Sequence, residues 1–529
     1  MNKTNLMTKK PIIWTISGSD CSGGAGIAAD IKTGHGLGVE VCQLISANTV
    51  QNSQQLLSVN SVSIDILQQQ AALLMTDKPP SVIKIGLVAN VAQVKWLVQL
   101  LEQLKQKMPT LISVYDPVGQ ATVGGSFNSL TLAQLRPLLQ DVDVITPNLL
   151  EAQSLAQLAE ISDAERLAKK IYDDFAIHSI IVKGGHSEIA LDSSDYCYHQ
   201  LNQLPGKQDN QDKTQAAISY QLTSKRIASH YSHGGGCSFA TALSAFLAHG
   251  YLVRDAFTLA KAFINQGFNA SEPVSKLYGH QYYGAFEQQG WPYQAAFFPQ
   301  AVDEVSKKYQ TLPAFNSLNL AGKKLGLYPV IDSLYWLKRL LPLGLEIIQL
   351  RIKNLALADV EQVIIEAVFL AKSYDTRLFI NDYWQLAIKH GAYGVHIGQE
   401  DLQAADLFKI QQAGLRLGIS THGCYEFLLA QQLQPSYLAI GAVFPTTTKD
   451  MTGQIQGLNN LTQVLALRPN NNITQIPVVA IGGINLVRAA QVVATGVESI
   501  AVVTAITEAK SSYNISPEQV VEKLQKIIG

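Results

Sequence analysis

The sequence predicts an α/β protein in two parts, a parallel-sheet domain with helices on both faces followed by a (β/α)8 barrel. Three observations predict it. Apolar runs of about five to eight residues recur along the 529-residue chain, each followed by a longer stretch of helical period, which is the alternation of parallel sheets. The rhythm breaks once, between about Asn269 and Gly322, in a stretch rich in Gln, Pro and aromatics such as Trp291, Pro292, Tyr293, Phe297, Phe298 and Pro299. After Lys323 it resumes, and eight strand-like runs fit into about two hundred residues, the arithmetic of a compact barrel whose active site lies at the C-terminal strand ends.

In the first half the candidate strands are Pro11–Ser17, Val41–Ala47, Val82–Val88, Leu111–Tyr115, Val142–Thr146 and Ser179–Val182. A polar insert at Asn202–Gln215 reads as a surface loop. The stretch Gly234–Val253 carries no formal charge and could span a bilayer by length. Its three leading glycines, with Ser238, Thr241, Ser244 and His249, mark it instead as a buried soluble helix after a glycine turn. These elements place the first domain at 1–283, a linker at 284–322 and the barrel at 323–529. The linker aromatics predict that part of it packs on a domain surface.

Composition excludes several classes. With 47% hydrophobic and 15% charged residues, 38 Gly and 19 Pro, the chain is neither disordered, collagen-like nor a disulfide scaffold. Lys+Arg 40 against Asp+Glu 41 gives a net charge of −1, so no global field favours nucleic acid or an anionic membrane. Anionic ligands must be met by local groups. The five cysteines are far apart and form no CxxC pair, which predicts reduced thiols in a cytoplasmic protein. The apolar run Ile12–Ile16 is too short for a signal peptide. Oligomeric state is left open, a homo-oligomer included.

The strand-like runs of the second half begin near Leu325, Ile347, Arg377, Gly394, Leu415, Tyr437, Ile476 and Ser499. Polar, reactive residues follow them: Gln349, Arg351 and Lys353; Asn381 and Asp382; Asp401; Ser420; Thr446, Thr447, Thr448 and Lys449; Gly482 and Gly483; Thr504. Wet loops alone would give scattered small polar residues. Arg351 and Lys353 are one strand period apart and can share a face as an anion clamp. Asp382 and Asp401 could share one hard cation such as Mg²⁺. Two cations, a metal and Lys449 suit a diphosphate better than a monoester. The Pro445–Lys449 loop, Gly482-Gly483 and Val503-Thr504 provide for a second anion.

In order, the segments QLRIK, FIND, GVHIGQED, GIST, GAVFPTTTK, VVAIGGI and IAVVTAI resemble thiamine phosphate synthase across essentially all of 323–529. That resemblance implies joining of a hydroxymethylpyrimidine diphosphate to a thiazole phosphate with release of pyrophosphate. It implies that Gln349, Arg351, Lys353, Asn381, Ser420 and Lys449 hold the pyrimidine diphosphate, with Ile352 inside the same QLRIK segment. Asp382 and Asp401 would hold Mg²⁺, while Thr446, Thr447, Thr448, Gly483, Val503 and Thr504 lie about the thiazole phosphate. The implied reaction is dissociative, so Arg351, Lys449 and the metal carry the leaving group and no protein nucleophile is needed. Ile352 departs from the polar residue usual there, and alternation predicts that its side chain points away.

In the first half, Ser17–Asp30 (SGSDCSGGAGIAAD) is a glycine-rich turn entering a helix, which by itself reads equally as tight packing. HGGGCSF (His233–Phe239) puts three glycines before a helix, offering amides to an anion, and Cys237 at that helix start is expected to be partly thiolate. Asn148 and Glu151 are three apart at a strand end, suited to ordering hydrated Mg²⁺, and Lys183 ends another strand within reach of nucleotide phosphates. Together GSDCSGGAGIAADIKT, NTVQN, KIGL, DPVG, ITPNLLEA, VKGGH and SHGGGC resemble hydroxymethylpyrimidine/phosphomethylpyrimidine kinase, a ribokinase-like αβα fold, over about Pro11 to Phe268. The resemblance implies ATP as phosphoryl donor and places Asp30 and Gln51 around the pyrimidine. It makes Cys237 the base, with the Gly234, Gly235 and Gly236 amides on the transferring phosphoryl group.

Departures are Gly235 where the family usually has Thr, Leu87 where it often has Met, and Gly119-Gln120 after DPV. They keep open a competing reading, an active synthase carrying a degenerate, non-catalytic pyrimidine-binding domain. A kinase acting on pyridoxal-type alcohols is a third. In the first reading, the chain is bifunctional and the product of its first half is the substrate of its second.

Overall fold

The computed structural model describes residues 10–52, 55–118, 130–158, 163–184, 191–200, 217–227, 229, 231–278, 285–320, 325–353, 355–446, 455–468 and 476–529. The chain divides into two units, Met1–Pro292 with Ala296–Asp303, and Tyr293–Ala295 with Glu304–Gly529. The span expected as a linker, 284–322, is therefore split between the two.

The first unit holds a ten-stranded sheet. Its strands are β1 (Ile12–Asp20), β2 (Glu40–Gln51), β3 (Leu56–Ser61), β4 (Val82–Ile85), β5 (Ile112–Tyr115), β6 (Val144–Ile145), β7 (Ser179–Val182), β8 (Asp192–Gln200), β9 (Ala217–Lys225) and β10 (Gln300–Val302). They lie in the order β10-β9-β8-β7-β6-β5-β4-β1-β2-β3. From β1 the chain first builds towards β2, then returns to β4 on the other side. That reversal makes a crevice at the C-terminal ends of β1 and β4, where parallel sheets bind ligands.

Side-chain alternation fixes the two helical layers. Ile12, Trp14 and Ile16 of β1 join the core that also holds Leu97, Leu101, Leu139, Ala152, Leu167 and Ile171 from helices on one face. Thr15 points the other way, to Asp30 on the helix Gly26–Gly36. The helix Gly235–Ala248 packs on that same face, so the charge-free stretch is a helix buried within the unit. Among the described residues no helix is long and apolar enough to cross a membrane.

The sequence reading missed the antiparallel edges. β3 returns on β2, and β7, β8, β9 and β10 follow one another antiparallel. Strands β8 and β9 flank the insert expected at Asn202–Gln215, which lies outside the described residues. β10 comes from the former linker, and Trp291 packs against Phe246, His249 and Tyr251.

The second unit is a closed barrel of eight parallel strands in chain order. They are β11 (Gly326–Ile331), β12 (Ile347–Leu350), β13 (Arg377–Asn381), β14 (Gly394–Ile397), β15 (Arg416–Thr421), β16 (Tyr437–Ile440), β17 (Val478–Ile481) and β18 (Ser499–Val502). Its lumen is filled by Tyr328, Val330, Ile347, Phe379, Tyr437, Ala439, Val479 and Ala501. Glycine on neighbouring strands makes room for the rings. A Cβ on Gly418 would lie 2.2 Å from the Tyr437 ring, and one on Gly394 would lie 2.4 Å from Phe379.

The N-terminal floor of the barrel is closed by residues just before it. Leu318 is buried in the lumen core, and its carbonyl accepts from Arg377 Nε at 2.8 Å and Tyr393 Oη at 2.6 Å. The Asn316 carbonyl accepts from Ser436 Oγ at 2.6 Å.

Candidate active sites

In the first unit two glycine turns meet at the crevice. Asp20 ends β1 and organises both. Its carboxylate accepts from the amides of Ser22 (2.8 Å), Gly24 (3.2 Å) and Ala25 (2.9 Å), and from Nε2 of His233 (2.8 Å). Burial pushes this carboxyl up, but hydrogen bonds from His233, Gln51 and Ser22 outweigh it and hold it well below the usual carboxylate range. The turns touch backbone to backbone. Gly234 has φ +83°, and a Cβ there would lie 1.9 Å from the Gly24 carbonyl oxygen.

Gly234 caps the helix Gly235–Ala248. The Gly235 amide is taken by the Ser232 carbonyl at 3.0 Å, so the amides of Gly236 and Cys237 remain for a ligand, as the first turn of a helix leaves them. Cys237 accepts from the Gly26 amide. The expectation of a thiolate is corrected: burial pushes the Cys237 thiol up to about 11, Asp30 and Asp116 adding to that against the opposing charge of Lys84. At neutral pH the group is a thiol.

Beneath it lies a wholly buried ion pair. Lys84 Nζ on β4 donates to Asp30 at 2.9 and 3.0 Å, and Thr241 Oγ1 donates to Asp30 at 2.6 Å. Both charged side chains are 0% exposed. Asp30, expected in the wall of a pyrimidine pocket, is wholly buried and hydrogen-bonded by Lys84, Thr15 and Thr241, contacts that tie down the helix following the first turn. Gln51 is placed at the crevice with its amide on Asp20, and its buried Oε1 has no partner among the described residues. That leaves an acceptor awaiting a ligand donor.

Lys183 ends β7 and is held by Asp116 at 2.8 Å, which also accepts from Thr146 Oγ1 at 3.0 Å. Its ammonium lies beside Gly236, at the start of the glycine-capped helix. Asn148 and Glu151 form a reciprocal cap: Asn148 Oδ1 accepts from the Glu151 amide at 2.9 Å, and Glu151 Oε2 from the Asn148 amide at 2.8 Å. The pair thereby forms a helix capping box. Among the described residues no three His, Cys, Asp or Glu side chains converge to hold a metal by themselves. Gly119-Gln120 lies outside the described residues.

In the second unit the expected groups gather at the strand ends. Gln349 is buried on β12. After it the exposures alternate: Arg351 is half-buried, Ile352 buried and Lys353 exposed. Ile352 is buried, on the side opposite to its half-buried and exposed neighbours Arg351 and Lys353, as alternation predicts for its side chain. Asn381 ends β13 and donates from Nδ2 to Asp382. Asp382 sits at φ +63° and shares a hydrogen bond with Asp401, a residue of the short helix Gln399–Leu402. Burial, and then the Asp401 charge, push the Asp382 carboxyl up to about 6 against the pull of Arg351. Two carboxylates held together at the exposed mouth of the barrel are the kind of donor set a hard divalent cation prefers. These residues fit Mg²⁺.

Ser420, one residue before the end of β15, stands next to His396, at 2.8 Å from Nε2. The Gly482-Gly483 turn packs on the loop after β16, with the Phe444 amide on the Gly482 carbonyl at 3.0 Å and Arg488 on the Gly483 carbonyl at 2.8 Å. Gly483 needs its φ of +62°, since a Cβ would lie 2.5 Å from the Pro445 carbonyl oxygen. Thr446 precedes this contact's end of the described loop, and Val503 and Thr504 stand at the end of β18. Thr447, Thr448 and Lys449 lie outside the described residues.

Comparison with known proteins agrees with this geometry. The family model described as thiamine monophosphate synthase matches residues 327–506, and that of phosphomethylpyrimidine kinase matches 20–281. A thiamine-phosphate synthase of Yersinia pestis (strain Pestoides F) is 60% identical over 185 residues, covering 35% of this chain and 84% of the relative. The chain belongs to the thiamine-phosphate synthase family. The thiamine-phosphate synthase of Proteus mirabilis is 55% identical over 194 residues, 37% of this chain and 88% of its own. A solved phosphomethylpyrimidine kinase from Clostridium difficile is 26% identical with a TM-score of 0.38, covering 49% of this chain and 99% of its own. A thiamine-phosphate synthase barrel thus follows a phosphomethylpyrimidine kinase domain, the pairing of a bifunctional enzyme of thiamine biosynthesis.

Two substitutions separate the roles of the glycine turn. Gly234→Ala is expected to cost the first unit about 1–3 kcal/mol through its positive φ and the clash with Gly24, and to lower kinase turnover at least tenfold while synthase turnover stays unchanged. The Cβ of Gly235→Thr meets only the Phe268 ring, at 3.6 Å, and the substitution is expected to leave the melting temperature and kinase turnover intact or higher. In the barrel, Asp382→Asn suits the left-handed backbone and relieves the repulsion with Asp401. The melting temperature is expected not to fall, while half-saturating Mg²⁺ for synthase turnover rises at least tenfold.

Proposed function

We propose that the first unit uses ATP to phosphorylate 4-amino-5-hydroxymethyl-2-methylpyrimidine and then its monophosphate, and that the barrel condenses the resulting diphosphate with thiazole phosphate to thiamine phosphate and pyrophosphate. The observation that carries the reading is the pair Asp382–Asp401 facing Arg351 at the barrel's strand ends, in a chain whose other unit matches a pyrimidine phosphate kinase. Asp382 and Asp401 would hold Mg²⁺, whose charge offsets that of a diphosphate. Arg351 and Lys353 neutralise the leaving group together with Lys449. Asn381 and Gln349 hold the pyrimidine so that, as pyrophosphate departs, the thiazole nitrogen attacks the pyrimidinyl cation. Thr446, Thr448, Gly483, Val503 and Thr504 seat the thiazole phosphate.

In the kinase half the amides of Gly236 and Cys237 and the ammonium of Lys183 meet the phosphates, and Gln51 offers its acceptor to the amine of the pyrimidine. Cys237 takes the proton of the substrate hydroxyl. Because burial holds its thiol up at about 11, the base acts through its minor, ionised form at neutral pH. Five free cysteines fit a reducing, cytoplasmic setting. A second reading, favoured by Gly235 in the anion-holding turn, keeps the synthase and makes the first unit a non-catalytic pyrimidine-binding module.

Incubation with ATP, Mg²⁺, the hydroxymethylpyrimidine and thiazole phosphate is expected to yield thiamine phosphate, with ATP turnover on both pyrimidine substrates. Absence of both half-reactions would overturn the proposal, and ATP turnover abolished by Cys237→Ala discards the non-catalytic reading. Because a base must lose its proton to act, kinase turnover is expected to rise with pH between 7 and 9, below the value of about 11 to which burial raises the Cys237 thiol. A flat wild-type profile would remove Cys237 from the base role.

A further inference from the structure

The barrel lumen contains a hydrogen-bonded chain that no step above uses. Gln349 Nε2 lies 3.2 Å from Tyr328 Oη, Tyr328 Oη 2.7 Å from Tyr437 Oη, Tyr437 Oη 2.7 Å from His396 Nδ1, and His396 Nε2 2.8 Å from Ser420 Oγ. Gln349, Tyr328, Tyr437 and His396 are all buried, at 4%, 1%, 0% and 6% exposure. Both ends of the chain are residues placed at the pyrimidine diphosphate.

A hydroxyl has one proton to donate and two lone pairs, so the chain is self-consistent in either of two directions. In one of them the Gln349 amide N–H donates to Tyr328 and the Tyr328 proton goes on to Tyr437. The Tyr437 proton then goes to Nδ1 of the uncharged imidazole. His396 must in that case carry its own proton on Nε2, and it donates to Ser420 Oγ. With that lone pair occupied from below, the Ser420 hydroxyl proton is left to point outward.

We propose that His396 is a positioning residue for the synthase reaction: the lumen chain holds its imidazole with the proton on Nε2, and this makes Ser420 a hydrogen-bond donor towards the diphosphate. The direction matters because a phosphate oxygen only accepts. Run in reverse, the chain would tie the Ser420 proton to His396 and turn oxygen lone pairs towards an anion. At the other end, Gln349 spends one N–H on Tyr328 and keeps its second N–H and its carbonyl, a donor and an acceptor suited to the edge of an aminopyrimidine. One chain thus presets a contact for each half of the same ligand. The inference rests on the reading that Gln349 and Ser420 hold the pyrimidine diphosphate.

The test combines a direct observation with variants that cut the chain. In the full-length protein labelled with ¹⁵N-histidine, the His396 resonances, assigned by their loss in His396→Gln, are expected to show protonation at Nε2, and protonation at Nδ1 would overturn the proposal. Tyr437→Phe keeps the ring that fills the lumen and removes only the link to Nδ1. It is expected to raise the KM for pyrimidine diphosphate about tenfold, the loss of one hydrogen bond to a charged ligand, with the KM for thiazole phosphate unchanged. His396→Leu should do the same, and His396→Gln, whose amide N–H can stand in for Nε2–H, should recover most of the affinity. If Ser420→Ala raises that KM while Tyr437→Phe and His396→Leu, folded and thermally stable, do not, the chain has no positioning role and the site reading stands. If Ser420→Ala leaves the KM unchanged, the site reading fails and takes the inference with it.

Discussion

The first unit depends on one interaction, the ion pair between Lys84 and Asp30, from which water is wholly excluded. It joins β4 to the helix that follows the first glycine turn, and through Thr15 and Thr241 it also gathers β1 and the glycine-capped helix. Two buried charges are tolerable only because each satisfies the other and the remaining oxygen sites are hydrogen-bonded. Removing one partner of such a pair typically costs about 3–5 kcal/mol. The geometry of the crevice above it, with Cys237 between two glycine turns, follows from this fixed floor. The same charges that fix the floor also set the state of the thiol.

The barrel meets the same problem differently. Its lumen carries neutral polar groups where the first unit carries charges, and its charged residues stand at the mouth. Asp382 and Asp401 are held close enough to share a proton, a repulsion that a cation relieves. A net charge of −1 over the whole chain conceals both arrangements, because each is a local balance of opposite groups.

Much of this was legible in the residues. The eight barrel strands begin close to the expected positions because parallel strands buried on both faces are short apolar runs that few other elements imitate. The antiparallel strands β8 and β9 were hidden by their polar sequences, DSSDYCYHQ and AISYQLTSK, which lie towards a sheet edge and bury little. Residues at strand ends announced themselves by chemistry, yet Tyr328, His396 and Tyr437 sit inside apolar runs and read as core. A polar residue at an inward position of such a run, like Lys84 in VIKI or His396 in GVHI, is the signal that could have found them. The Asn148–Glu151 spacing is shared by a capping box and a metal-ordering element, and the capping box is the part the structure displays. The state of Cys237 was not readable at all, since burial and not the helix start decides it.

The peptide that closes the barrel floor gives the fusion a particular anatomy. Leu318 and its neighbours stand outside the repeating strand and helix pattern, yet they stopper the lumen through Arg377, Tyr393 and Ser436. Tyr309 extends this attachment upstream, its hydroxyl on the Ala405 carbonyl at 2.8 Å. A catalytic half severed where the rhythm resumes, at Lys323, would leave its own cork behind on the other fragment. The natural seam between the two enzymes runs near Asp303, about twenty residues ahead of the place where the strand count begins.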